Sequence, residues 1–313
     1  MGVYSDLPIE RIEALIAQYD RGRLISITPI TTGIENSNYF VLLSQYGQEA
    51  AYVLTLVEVA DERRAQGISQ LMTHLRFYGF PVPEVVMNRN GNRVLTGDLR
   101  PVMLSTKIQG HHVQTPKAQH CHLLGSVLAQ FHQIASAFSS PLSQPYDLGW
   151  LSKTIETHRR ALSGDTLSLL YEAVTQCELI QAHGLPIGLT HGDAFRDNVL
   201  FSEADELTGL LDYFHAGEDY LIMDLAIAIN DWCYVSVDES ERSALRHAMV
   251  SGYEEVRHLE EEERKALPIA QFIGAARLCC SRLATQNGNG HYRKDPREYE
   301  RHLRDLVDNP PSY

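Results

Sequence analysis

Strand-like and helix-like patterns are segregated along this chain. Short apolar runs suited to strands dominate roughly the first 105 residues: Thr28 to Leu43 as strand, turn and strand, then Tyr52–Val57 and Val102–Ile108. A helix over 6–19 and another over 61–78 are expected among them, with turns at Gly79–Pro83 and Asn88–Asn92, the latter a hairpin signal. Beyond Gly110 the periodicity becomes helical, over 115–138, 152–163, 165–182, 219–235, 239–257, 261–284 and 296–307. Only two short apolar runs, Val199–Phe201 and Leu207–Leu211, interrupt that second part as candidate strands. The pattern predicts an α+β chain of two lobes: a small sheet-rich N-lobe, 1–105, and a larger helical C-lobe, 106–313. A short hinge near 105–110 and a cleft between the lobes are expected.

The two late apolar runs are tied to a motif. Thr190–Asn198 reads T-H-G-D-A-F-R-D-N and ends where the first run begins. Asp212, fourteen residues after Asn198, closes the second. Gly192 allows a tight turn that would put the Asp193 carboxylate at a loop tip. Asn198, five residues on, would offer a side-chain amide oxygen from a rigid strand start. A carboxylate that accepts a hydroxyl proton, with an amide oxygen and a second carboxylate for a hard divalent cation, is what phosphoryl transfer from a magnesium nucleotide requires. The motif therefore assigns Asp193 as the proton acceptor and Asn198 and Asp212 as magnesium ligands. Arg196 could approach the terminal phosphate of ATP. The fold implied is protein-kinase-like, with the N-lobe binding nucleotide and the C-lobe carrying catalysis and the acceptor.

Composition narrows the partners. A net charge of −13 argues against nucleic acid or an anionic membrane. No apolar run reaches the ~18 residues of a membrane-spanning helix, and the first twenty residues lack a basic signal-peptide start. Five cysteines without a C-x-x-C fit reduced thiols in a cytoplasm. The pairs His111-His112 and His120-Cys121-His122 do not read as a metal site, because residues i and i+2 of a helix do not face each other.

On the nucleotide side, the turn Thr32–Tyr39 lies between two strands, where a loop over phosphates is expected. Gly33, Asn36, Ser37 and Asn38 are its candidate contacts. No G-x-x-x-x-G-K-[ST] is present, which excludes a P-loop. The strand Tyr52–Val57 has Thr55 where a phosphate-binding lysine is expected, and the first lysine in the chain is Lys107. Backbone atoms of Ser105, Thr106 and Lys107 are expected along the adenine.

The residues resemble the aminoglycoside-phosphotransferase and choline-kinase group of small-molecule kinases, and more narrowly its bacterial homoserine kinases. The likeness rests on Gly33–Val41, Tyr52–Glu58, Gly79–Pro83, Thr190–Phe201, Tyr213–Gly217, Asp224–Ala226, Asn230–Cys233 and Lys294–Tyr299. It implies ATP-dependent phosphorylation of the L-homoserine hydroxyl, a step toward threonine, with the roles given above for Asp193, Asn198 and Asp212. Such kinases often lack the strand lysine. Departures are Ala194, where relatives often have Leu, and Cys279-Cys280, where bulkier apolar residues are expected. A zwitterionic acceptor needs a carboxylate for its ammonium and Arg or amides for its carboxylate. Asp231 is the candidate for the first, Arg277 and Arg282 for the second, with Trp232 as a pocket wall. Asp224 is expected to cap backbone or brace the motif loop. Alternatives are a kinase for choline, an aminoglycoside or a sugar, and a non-catalytic nucleotide-binding regulator. Either a monomer or a homodimer is compatible with the sequence.

Overall fold

The computed structural model describes residues 7–30, 35–96, 100–180, 184–234, 238–285, 295–311 and 313. They form two compact units. One comprises the chain up to Gly110 with Phe138–Leu142 and Thr208–Phe214; the other comprises His111–Ala137, Ser143–Leu207 and His215–Tyr313.

The first unit is a five-stranded antiparallel sheet with two helices. Its elements are α1 (Ile9–Ile16), β1 (Arg23–Pro29), β2 (Ser37–Gln45), β3 (Gln48–Leu56), α2 (Glu62–Phe77), β4 (Val94–Leu95) and β5 (Val102–Thr106). The sheet order is β1-β2-β3-β5-β4. Alternation dictates the buried face: Tyr39, Val41 and Leu43 of β2 and Tyr52, Leu54 and Leu56 of β3 pack against Ile12, Leu15 and Ile16 of α1. Each such side chain contributes on the order of 1.5–3 kcal/mol by leaving water. β2 and β3 are joined at Tyr46-Gly47, both at positive φ (52° and 80°), which suits a two-residue hairpin turn. Asp61 caps α2 by accepting from the Arg64 N–H at 2.8 Å.

Two local expectations change here. The first helix is shorter than 6–19, ending at Ile16, with Tyr19 bridged to Asn88. The Asn88–Asn92 turn forms, with Asn88 Oδ1 accepting from the N–H groups of Asn90 and Asn92, but it does not join two strands of one hairpin.

The second unit is mainly helical. It contains α3 (Ala118–Ala135), α4 (Leu148–His158), α5 (Gly164–Ile180), β6 (Ile187–Thr190) and β7 (Val199–Phe201). The chain passes through β8 (Leu207–Leu210), nearly all of it in the first unit. It returns as β9 (Gly217–Tyr220), α6 (Ile222–Trp232), α7 (Glu239–Glu254), α8 (Glu261–Ala284) and α9 (Arg297–Asp308). The helix expected over 219–235 starts only at Ile222, because Gly217–Tyr220 pairs antiparallel with β6. From Ile222 to Asn230 every residue of α6 is buried, which marks it as the central helix of this unit. Helices α3 and α7 meet through glycines. A Cβ on Gly125 would lie 2.0 Å from the Met249 carbonyl oxygen, and one on Gly252 would lie 1.9 Å from that of His122. No helix of the described residues is long and apolar enough to cross a membrane.

Candidate active site

The motif loop leaves β6 and is anchored before it turns. Thr190 Oγ donates to the Gly217 carbonyl at 2.9 Å. Gly192 sits at φ +77°, and a Cβ there would also come 2.9 Å from the His215 carbonyl oxygen, so both conformation and space require glycine. The buried Asp224 of α6 accepts from the backbone N–H groups of His191 (2.6 Å) and Gly192 (2.7 Å) and from His132 Nε2 (2.9 Å). Burial pushes the Asp224 carboxyl up. The His132 hydrogen bond, the charges of His132 and His191, and the Gly192 N–H outweigh that and hold it below the usual carboxylate range. Asp224 therefore braces the loop, as its place in the sequence suggests. Behind it His132 Nδ1 meets the Tyr253 hydroxyl at 2.7 Å, and Arg257 joins Tyr253 to the buried Glu263.

Asp193 and Asn198 are held together. The Asn198 Nδ2 donates to the Asp193 carboxylate at 2.7 Å and to its carbonyl oxygen at 2.8 Å. That contact fixes the Asp193 rotamer and leaves the amide oxygen at the other end of the Asn198 side chain. The second carboxylate oxygen of Asp193 lies 3.7 Å from His215 Nδ1, and His215 Nε2 is 3.2 Å from the Tyr146 hydroxyl. Asp193 is only 14% exposed, which places its carboxylate in a shielded but reachable position.

Asp212 belongs to the first unit. It adopts φ +59°, a conformation that costs a non-glycine residue about 1 kcal/mol or more and that clusters at functional positions. Its Oδ1 accepts from the Phe214 N–H at 3.2 Å. The Phe214 carbonyl in turn takes two hydrogen bonds from the Arg64 guanidinium of α2, at 2.7 and 3.2 Å.

Several expected contacts are spent elsewhere. Arg196 forms a forked pair with Asp231, Nε to Oδ2 at 3.0 Å and Nη2 to Oδ1 at 3.2 Å, and its Nη1 donates to the Gln114 carbonyl. Arg196, expected near a phosphate, and Asp231, expected to take an ammonium, are thus paired with each other in this structure. Trp232 is fully buried and donates to the Ala194 carbonyl at 2.9 Å, so it supports the loop instead of walling a pocket. Arg277 is paired with Asp219 of β9. Arg282 is paired with Glu298 at 2.6 Å and lies over the Tyr299 ring. Neither guanidinium stands ready for an acceptor carboxylate.

The nucleotide candidates divide in the same way. Gly33 lies outside the described residues. Asn36 and Ser37 are buried: Asn36 Oδ1 accepts from the Glu58 N–H at 2.9 Å, and Ser37 Oγ donates to the Glu58 carboxylate at 3.0 Å. Both side chains tie the start of β2 to Glu58, just beyond β3. Thr55 Oγ donates to Asn38 Oδ1 at 2.7 Å across the same register, a neutral pair at the position of the absent lysine. The N–H groups of Thr106 and Lys107 donate to Glu84 and Ala51, so they are not available to adenine. Ser105 pairs with Val53 on one side and Val85 on the other. The Lys107 ammonium stands over the Phe40 ring at 4.4 Å.

The profile of the phosphotransferase enzyme family matches residues 26–259. The chain belongs to that family. Its curated relatives include the homoserine kinase of Methylobacillus flagellatus, 32% identical, which aligns with 98% of this chain over 96% of its own length. The homoserine kinase of Neisseria meningitidis is 31% identical over 98% of this chain and 100% of its own. That of Rhizobium meliloti is 35% identical over 96% and 92%. Among solved structures, an amicoumacin kinase in complex with AMP-PNP and Ca2+ superposes with a TM-score of 0.76 at 16% identity, covering 97% of this chain and 95% of that one. A microcompartment-associated aminopropanol kinase gives 0.74 at 19% identity, covering 96% and 98%. These likenesses show the fold, which is that of small-molecule kinases.

In this phosphotransferase, the residues that sequence reasoning misses are the distant braces: Arg64, His132, Tyr146 and Tyr253. None carries a local signal. His132 lies 92 positions from Asp224, and Arg64 lies 150 from Phe214.

Proposed function

We propose that this chain transfers the terminal phosphoryl group of ATP to the side-chain hydroxyl of L-homoserine, giving O-phospho-L-homoserine and ADP, a step toward threonine. The observation that carries the reading is the near full-length likeness to curated homoserine kinases, with the catalytic loop built as such a reaction needs. Asp193 takes the hydroxyl proton as the oxygen–phosphorus bond forms and the bond to the ADP oxygen breaks. Asn198 holds the Asp193 carboxylate through one end of its amide. Its other end is an oxygen of the hard, neutral kind that magnesium accepts, and the Asp212 carboxylate is of the same hard class. We assign magnesium to these two side chains on the chemistry of their donor atoms. The ion, when bound, offsets charge on the phosphates. His215, beside the second Asp193 oxygen, keeps that carboxylate oriented. The first unit, in this reading, is the nucleotide lobe and the second carries catalysis and the acceptor.

The test is steady-state phosphorylation with ATP and a panel of acceptors: L-homoserine, choline, an aminoglycoside and a sugar. Homoserine should show the highest kcat/KM. Turnover of another acceptor with none of homoserine would reject the assignment.

A further inference from the structure

The reading above leaves open where the amino-acid end of the acceptor binds, since Arg277, Arg282 and Trp232 are committed elsewhere. The second unit holds a cavity of about 790 Å³ bounded by α6, α7, α9 and the motif loop. It borders the motif loop at Arg196. Arg196 forms part of its wall, and Arg196 is three residues from Asp193, a separation of at most ~11 Å along the chain. Tyr299 also lines the cavity.

The lining is rich in charge of both signs, and most of it is already neutralised. Arg196 is held by Asp231, Arg242 by Asp305 and Glu298 by Arg282. Two exposed lining residues differ. Arg301 of α9 gives its Nε to the Arg297 carbonyl and its charge helps to lower the Asp295 carboxyl, but among the described residues no carboxylate lies within ion-pair distance of it. Glu241 of α7 likewise has no ion-pair partner among the described residues. A guanidinium and a carboxylate without ion pairs among the described residues, from different helices on one cavity, match a small zwitterion. They do not match a polycation, which needs acids alone.

We propose that this cavity takes the α-amino-acid end of the acceptor, with the Arg301 fork binding its carboxylate and Glu241 its ammonium. The assignment rests on the proposed homoserine kinase activity, and its test separates the two. Kinetics of the wild type, Arg301→Gln and Glu241→Gln would be measured with L-homoserine, with 3-amino-1-propanol, which lacks the carboxylate, and with 4-hydroxybutyrate, which lacks the ammonium. Arg301→Gln should raise the KM for homoserine roughly 10- to 100-fold, the worth of a charged hydrogen-bonded contact, with no further loss on aminopropanol. Glu241→Gln should behave in the same way, with 4-hydroxybutyrate as its indifferent acceptor. Calorimetric titration of L-homoserine into wild type and variants gives the second readout. A wild type that binds homoserine but does not phosphorylate it would sink the activity, and weaker binding to the variants would still support the cavity. Equal KM and equal affinity in wild type and Arg301→Gln would overturn the cavity assignment, as would a uniform loss on all three acceptors.

Discussion

In the proposed reaction, turnover depends most directly on Asp193. Its carboxylate is pinned by Asn198 and approached by His215, so an isosteric amide keeps the shape and removes the base. Asp193→Asn is expected to lower kcat by on the order of 10²–10⁴ while the affinity for ATP, measured by titration, stays within a few fold. A variant with near wild-type kcat would remove Asp193 from its role. His302 supplies a prediction about pH. Burial pulls its pKa down to about 4, against an ordinary value near 6.5, and its Nε2 lies 3.0 Å from Asn230 Oδ1. Between those values the unfolded chain binds the proton and the folded chain does not, so stability rises with pH across that window. This contribution is complete above about pH 6.5 and is lost as pH falls toward 4. Urea unfolding from pH 7 to 4 should show that decline, and His302→Asn should flatten it.

Among the elements, α3 and α7 illustrate how much of the fold is set by absent atoms. Their backbones approach so closely that Gly125 and Gly252 leave no room for a Cβ. Gly125→Ala would force the helices apart or displace the Met249 carbonyl. Overpacking of this kind costs typically 1–3 kcal/mol, read as a lower urea midpoint with an unchanged slope. If the variant were as stable as the parent, the close crossing would be in doubt. This contact also bears on the site, since α3 carries His132 and α7 carries Tyr253 in the chain of hydrogen bonds behind Asp224. The strands and helices themselves were mostly legible in the pattern of apolar residues: β2, β3, α2, α3, α7 and α8 fall where periodicity puts them. The misplaced start of α6 has a physical cause. Gly217–Tyr220 has no strong strand propensity of its own and becomes a strand only because β6 offers it a ladder.

For the whole molecule, the cysteines test whether the cores are as closed as they look. All five are buried. Burial pushes the thiols of Cys177, Cys233, Cys279 and Cys280 upward, the last to about 12, so at pH 8 they remain protonated and unreactive. A disulfide reagent should therefore label less than one thiol per chain in the native protein and all five in guanidinium. Rapid native labelling would contradict the burial of these thiols. At this scale the sequence determined the reaction class, because Asp193 and Asn198 lie five residues apart on one turn and local chain geometry alone keeps them close. It did not determine which charges would be left for ligands. Arg196, Asp231, Arg277 and Arg282 all looked available, and the fold paired each of them, whereas Arg301 and Glu241 drew no notice and remain without ion pairs among the described residues. Hydrogen bonds and Coulomb attraction act through space and fall off with distance. Which partners meet is decided only when residues tens of positions apart are packed side by side.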